Sequence, residues 1–202
     1  MHHPPELFKK STSFLLILFA GCATLFGWDI HAPGIFSQNF SQVIQPAPAR
    51  VALYLEPGLS KYQSKNKGSR TADPQTYHVG EALAPMLIEG FQEGFQEFIF
   101  IETEPTPEIL KRYGISHLVA VRVKEFGNKV TWKGQSVTLL TEAAVFDQEM
   151  NLKATFESRG TSAAIKTFAK KGGPEVNLNL AIENNVLALV EYVQEWVKGK
   201  NV

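Results

Sequence analysis

The stretch from His78 to Ile101, HVGEALAPMLIEGFQEGFQEFIFI, decides the fold class. Leu83, Leu87, Phe91, Phe95 and Phe98 recur every three or four residues, with Met86 beside them, so a helix is predicted over 78–97 with one apolar stripe. Glu81, Glu89, Gln92, Glu93, Gln96 and Glu97 keep the other side polar. Phe98-Ile99-Phe100-Ile101 then reads as a strand. Gly90 and Gly94 each cost about 1 kcal/mol against Ala in a helix. Close approach of the helix backbone to a sheet is the expected compensation. Pro85 fits the first turn, or a bend near the helix start.

Upstream, Val51-Ala52-Leu53-Tyr54-Leu55 is an apolar run closed by Glu56-Pro57-Gly58, a buried strand. Downstream, Thr106 is an N-cap and Pro107 a first helical residue, opening a short helix that Gly114 ends. Leu118 to Val123 is a third strand. Strands joined through helices pair in parallel. Gly127-Asn128 reads as a turn, after which Val137, Leu139, Thr141, Ala143 and Val145 share one face of a strand over 130–147. Asp147 to Asn151 turns the chain into a half-exposed strand with Leu152, Ala154, Phe156 and Ser158 on one side. The last helix carries Ile182, Val186, Leu189, Val193 and Trp196, with Asn177 or Asn179 as its cap. The expected fold class is therefore α+β (mixed α/β). It is a single domain over 51–202, in which two main helices pack on a mixed sheet of about five strands, part parallel and part antiparallel meander.

Leu59 to Gln75 is polar and reads as an exposed loop; its cations Lys61, Lys65, Lys67 and Arg70 are solvated or meet an anionic partner. Residues 22–50, with Pro33, Pro46 and Pro48, read as a tether that would reach roughly 85 Å if extended. Free linkers are polar, yet this one contains Phe26, Trp28, Ile30, Ile35, Phe36 and Phe40. Those side chains are expected on the bilayer interface, on the domain or on a partner. Phe26, Trp28, Ile35, Phe36 and Phe40 are the partner-binding candidates.

The first residues read as an address. Lys9 and Lys10 precede the apolar run Phe14 to Gly21, which is too short to span a bilayer and fits a signal peptide over 1–21. Phe19-Ala20-Gly21-Cys22 resembles the bacterial lipobox, with Phe19 where that motif usually has an aliphatic residue. The resemblance implies cleavage before Cys22 and its acylation, a palmitate-type anchor; two or three chains hold stably where one does not. Ala23 in place of Asp implies sorting to the outer membrane, on its periplasmic face.

Twenty Lys plus Arg balance twenty Asp plus Glu, so phosphate neutralisation is not the chain's business and no nucleic acid is expected. A lone cysteine excludes an intrachain disulfide and a multi-Cys metal site. No catalytic constellation stands out. His2 and His3 fall in the leader, His31 in the tether and His78 at an exposed helix start, and His117 reads as a satisfied structural histidine. Glu102, Glu104 and Glu108 read as a solvated cluster rather than a paired acid and base. Lys170-Lys171-Gly172-Gly173-Pro174 lacks the setting of a phosphate loop. No enzyme, metal or cofactor is expected.

Lipobox, Pro-containing tether, apolar first strand, the helix over 78–97 and the hairpin Ala143 to Phe156 together resemble a group of bacterial envelope lipoproteins. The group includes curli-secretion lipoproteins, penicillin-binding-protein activators, polysaccharide-export lipoproteins and ABC-type transport auxiliary lipoproteins. Relatives often carry Thr-Gly in the hairpin turn, where this chain has Gln148-Glu149-Met150-Asn151. The resemblance implies a non-enzymatic periplasmic module: a lipid-anchored structural or adaptor subunit of an envelope transport or assembly complex. Its partners would be the membrane through Cys22, an envelope protein complex, and further copies of itself. The alternative is a binding module for a lipid or other small apolar ligand held between the sheet and the two helices.

Overall fold

The computed structural model describes residues 27–38, 40–67, 74–131, 134–162 and 173–199. In chain order these form β1 (Trp28–Ile30), α1 (Phe40–Val43), β2 (Ala47–Leu55), a 3-10 turn (Leu59–Lys61), β3 (Ser64–Asn66), β4 (Gln75–Tyr77), α2 (Val79–Gly94) and β5 (Phe95–Ile101). There follow α3 (Pro107–Arg112), β6 (His117–Thr131), β7 (Gly134–Phe146), β8 (Leu152–Thr161) and α4 (Pro174–Val197).

The main sheet has the order β5-β2-β6-β7-β8. β2 pairs in parallel with β5 and β6, placing Leu53 between Phe100 and Val119, whereas β6-β7-β8 is an antiparallel meander. That is the mixed α/β class the helix-linked strands predicted. The central strand β2 buries Val51, Ala52 and Leu53 completely, one set of side chains on each face.

On one face, Val51, Leu53, Val119, Val121, Leu139 and Val145 pack against α2 and α4. Leu83, Leu87 and Phe91 come from α2; Ile182, Val186, Leu189 and Val193 come from α4. This layer, where a small apolar ligand was the alternative expectation, is filled by side chains that are 0% exposed. On the other face α3 covers a smaller cluster of Ala52, Ile101, Leu110, Ile115 and Leu118. Beyond α3 that face is polar: Arg122 and Lys124 of β6 pair with Glu142 of β7, and Lys124 also pairs with Glu157 of β8. Such exposed ladders specify register more than they add stability.

A polar knot crosses the main core. The buried Asn185 amide of α4 accepts from the Thr141 hydroxyl (2.9 Å) and donates to the carbonyls of Ser158 (2.8 Å) and Leu139 (3.3 Å). Ser158 Oγ donates in return to the Asn185 carbonyl at 2.7 Å. A fully satisfied network of this kind fixes how α4 sits on the sheet.

Several boundaries differ from the sequence reading. The helix predicted to Glu97 ends at Gly94, and β5 already begins at Phe95, whose side chain enters the core from a strand. Gly90 and Gly94 approach α4, not the sheet: a Cβ at either would stand 2.6 or 2.5 Å from Val186 Cγ1 or Val190 Cγ1. Pro85 lies within α2, past its first turn. Gly127 and Asn128 are not a turn; they lie within β6, paired with Thr138 and Val137, and the hairpin closes between Thr131 and Gly134. Gly173 occupies the N-cap of α4, ahead of Pro174, so neither Asn177 nor Asn179 caps it. The loop expected over 59–75 holds the 3-10 turn and β3, and β4 begins at its end. With β1 these strands form a second sheet, ordered β1-β4-β3. Tyr77 anchors that sheet to the hairpin of β6 and β7 by accepting from Gln135 of β7 while it donates to Gln75 within its own strand, and burial pushes its phenol up to about 12.

Candidate functional site

Cys22 and Phe26 lie outside the described residues, as do Lys170 and Lys171. The other candidates of the N-terminal segment separate into two groups. Trp28 and Ile35 are 58% and 64% exposed, whereas Phe40 is 2% exposed and Phe36 stacks on it with ring centroids 3.7 Å apart. Phe40 therefore lies in the core, and half-buried Phe36 packs on it. They seat over Gly90, whose absent side chain leaves room for both ring tips, and Ile44 follows them over Gly94.

Polar clamps from α4 complete this docking. Asn179 accepts from the backbone N–H of Gly34 (3.0 Å) and Ile35 (3.3 Å) and donates to the Ile35 carbonyl (2.8 Å). One turn later, Glu183 accepts from both the N–H and the hydroxyl of Ser37. Gln194 donates to the carbonyls of Gln45 (3.0 Å) and Gly94 (2.7 Å). The segment expected as a tether is, over its described part, a strap bound across α2 and α4. Docking on the domain was one of three expectations for its apolar residues, and the sequence could not choose among them because the polar clamps come from residues about 145 positions away.

The outer edge of β5 is the second feature. β5 is hydrogen-bonded to β2 on one side and, among the described residues, ends the sheet on the other. Beside that edge runs an open groove of about 580 Å³ lined by Ile99, Phe100, Ile101, Ile109 and Tyr113, with Glu102 and Arg112 at its polar margin. Arg50 of β2 pairs with Glu97 of β5 and donates to the Tyr113 carbonyl at 2.9 Å, tying the end of α3 to the sheet. Tyr113 itself is 53% exposed. An unpaired strand edge beside an apolar groove is a template for an added strand, with backbone groups giving affinity and the groove reading side chains.

The three carboxylates singled out in the sequence do not act together here. Glu102 borders the β5 groove, and Glu104 borders a smaller hollow with Tyr54, Leu118 and Phe146. Glu108 sits in the first turn of α3, where its own backbone N–H and the Thr106 hydroxyl hold its carboxyl below the usual range.

The histidines are placed differently from their sequence reading. His117 is not satisfied: its Nδ1 is buried without a partner, its ring meets Trp196 edge-on at 5.1 Å, and burial lowers its pKa. His78, read as an exposed start residue, has a mostly buried side chain and stacks on His31 with centroids 4.0 Å apart. Glu81 lies against both rings, 2.8 Å from His31 Nδ1 and 3.0 Å from His78 Nδ1. The hydrogen bond with His31 is the main cause of its lowered carboxyl pKa. Asp29 of β1 stands 3.3 Å from His78 Nε2. The i, i+3 spacing of His78 and Glu81 was a legible signal; the arrival of His31 at the end of β1, paired beside β4, was not.

Among the described residues, no helix is long and apolar enough to cross a membrane. No family model and no curated protein sequence matches the chain. Solved structures with a similar arrangement include a bacterial lipoprotein, GNA1162 of Neisseria meningitidis, at 11% identity, 75% of this chain, 99% of that one and TM-score 0.35. PelC of Paraburkholderia phytofirmans, solved as a dodecamer, shares 13% identity over 75% of this chain and 93% of its own, with TM-score 0.43. The hypothetical protein CT253 of Chlamydia trachomatis shares 12% identity over 76% and 99%, with TM-score 0.45. Overlap this loose transfers no role from those proteins to this chain.

Proposed function

We propose that this chain is a lipid-anchored structural or adaptor subunit of a bacterial cell-envelope assembly, carrying out no reaction of its own. Acylated Cys22 holds it on the periplasmic face of the outer membrane. An extended, apolar segment of a protein partner adds to β5 and fills the groove beside it. The observation that carries this reading is the open edge of β5 with Ile99, Ile109 and Tyr113 alongside. The lipobox-like Phe19 to Cys22 supports the anchor. The clamped strap supports a rigid adaptor body, because residues 34–45 are fixed to α4 at three side chains.

In-cell photo-cross-linking from a benzoylphenylalanine at Tyr113 tests the docking edge, with the same probe at Glu157 on the opposite edge strand as control. A discrete adduct from position 113 alone is expected; adducts from position 157 only would move the interface to β8 and overturn this choice of edge. Fractionation of Cys22→Ala tests the anchor separately. The variant should leave the membrane fraction, and retention there would end the lipid-anchor reading.

A further inference from the structure

We propose that His31, His78 and Glu81 form a binding site for a divalent transition-metal ion of the Zn²⁺ type, which clasps the N-terminal strap to the head of α2. The two imidazole donors and one carboxylate oxygen lie within 4.8 Å of one another. Around a tetrahedral ion with ligands at about 2.0–2.2 Å, neighbouring donors stand about 3.4 Å apart. His31 and Glu81, both 53% exposed, close the remaining distance by moving about 1 Å. His31 turns out of its near-parallel stack on His78 as it does so, and both ring lone pairs then meet the ion.

The hydrogen-bond pattern around His78 is what points to a cation. Its Nδ1 faces both the Glu81 carboxylate (3.0 Å) and the Gln63 amide nitrogen (3.1 Å), while its Nε2 faces Asp29 (3.3 Å). A proton on Nδ1 satisfies Glu81 but turns the bare Nε2 toward the Asp29 carboxylate. A proton on Nε2 satisfies Asp29 and Gln63 but sets the Nδ1 lone pair against Glu81. Protonating both nitrogens satisfies both carboxylates but puts a cationic ring face to face with His31. An ion between Nδ1 and Glu81 removes the conflict: Nε2–H donates to Asp29, Nδ1 and the carboxylate both ligate, and the exposed Gln63 amide swings aside. A carboxylate that accepts from the far N–H of a metal-bound histidine fixes the ring's tautomer and orientation in such sites.

Local sequence choices agree. His78 holds the N-cap of α2, where Ser, Thr, Asp and Asn are preferred, and makes no side-chain cap bond because its ring is turned into this cluster. The positive end of the helix dipole disfavours a cation here, and the carboxylates of Asp29 and Glu81 offset it. Two imidazoles and one carboxylate select Zn²⁺, Cu²⁺, Ni²⁺ or Co²⁺ over Mg²⁺ and Ca²⁺. Three protein ligands leave one position for water or for a group from a partner.

Calorimetric titration of the full chain with ZnCl₂ near neutral pH tests the site, followed by CoCl₂ with the visible spectrum recorded. One equivalent bound in the micromolar range or tighter is expected, with cobalt bands of four- or five-coordination. His31→Gln and Glu81→Gln, both at exposed side chains, should each weaken binding at least tenfold, and Asp29→Asn about tenfold. Circular dichroism checks that the variants stay folded. Absence of binding at millimolar Zn²⁺, unchanged binding in the His31→Gln/Glu81→Gln double variant, or equal binding of Mg²⁺ would each overturn the proposal.

Discussion

Gly160 of β8 lies directly under the backbone of Asn185 on α4. A Cβ at position 160 would stand 2.6 Å from the Asn185 nitrogen and 1.9 Å from the Ala181 carbonyl oxygen. The obstacle is backbone, so no rotamer change relieves it. This contact lets Ser158 and Asn185 exchange their hydrogen bonds across the layer. Gly160→Ala should therefore cost about 3 kcal/mol, the upper end for overpacking. Urea unfolding of the purified protein measures it, and a cost below about 0.5 kcal/mol would mean that α4 sits farther from β8.

At Gly90 the obstacle is a side chain, Val186 Cγ1, and the outcome is different. Alanine gains about 1 kcal/mol of helix propensity there but must displace a β-branched neighbour. Gly90→Ala is expected to destabilise by about 1–2 kcal/mol net. Combined with Val186→Ala, the loss should fall short of the sum by about 1 kcal/mol, since both changes act on one contact.

Phe40→Ala distinguishes a docked strap from a passive linker. Truncating a fully buried phenylalanine costs about 3–5 kcal/mol, whereas a change in a free segment stays within about 0.5 kcal/mol. The large value is expected, with Ile35→Ala, at an exposed position, near zero as the internal control.

His117 makes stability depend on pH in a defined direction. Burial lowers its folded pKa below the usual value of 6.5, so the unfolded chain takes up the proton first as pH falls. The stability tied to the neutral ring is complete above that value and is lost on acidification through it toward the folded pKa. The melting temperature should drop between about pH 7.5 and pH 5.5, and His117→Gln should flatten that slope. An equal slope in the variant would assign the effect to other groups.

The main sheet and its two helices were legible because their signals are local. The period of Leu83, Leu87 and Phe91, the alternation of Val137 to Val145 and the Thr106-Pro107 start each depend on neighbours a few residues away. The Gly90–Gly94 pair was recognised as a close-approach device, but its partner was not. Which layer comes near is set by the tilt of α4, a tertiary quantity. The strap was legible only as one of three expectations for the same reason: nothing in the sequence chose the domain over bilayer or partner until Asn179 and Glu183 supplied its anchor points. The histidine cluster required β1 to join β4 in a second sheet, and strands of three residues carry almost no periodic signal.

Strap docking also sets a length. On the proposed anchor, Cys22 stands six positions before Trp28 of β1, at most about 20 Å of chain. An undocked segment would have allowed the domain to search a deep hemispherical volume. On the proposed Cys22 anchor, the docked one would confine it to a thin layer at the bilayer surface, making encounters nearly two-dimensional and favouring partners in the same leaflet.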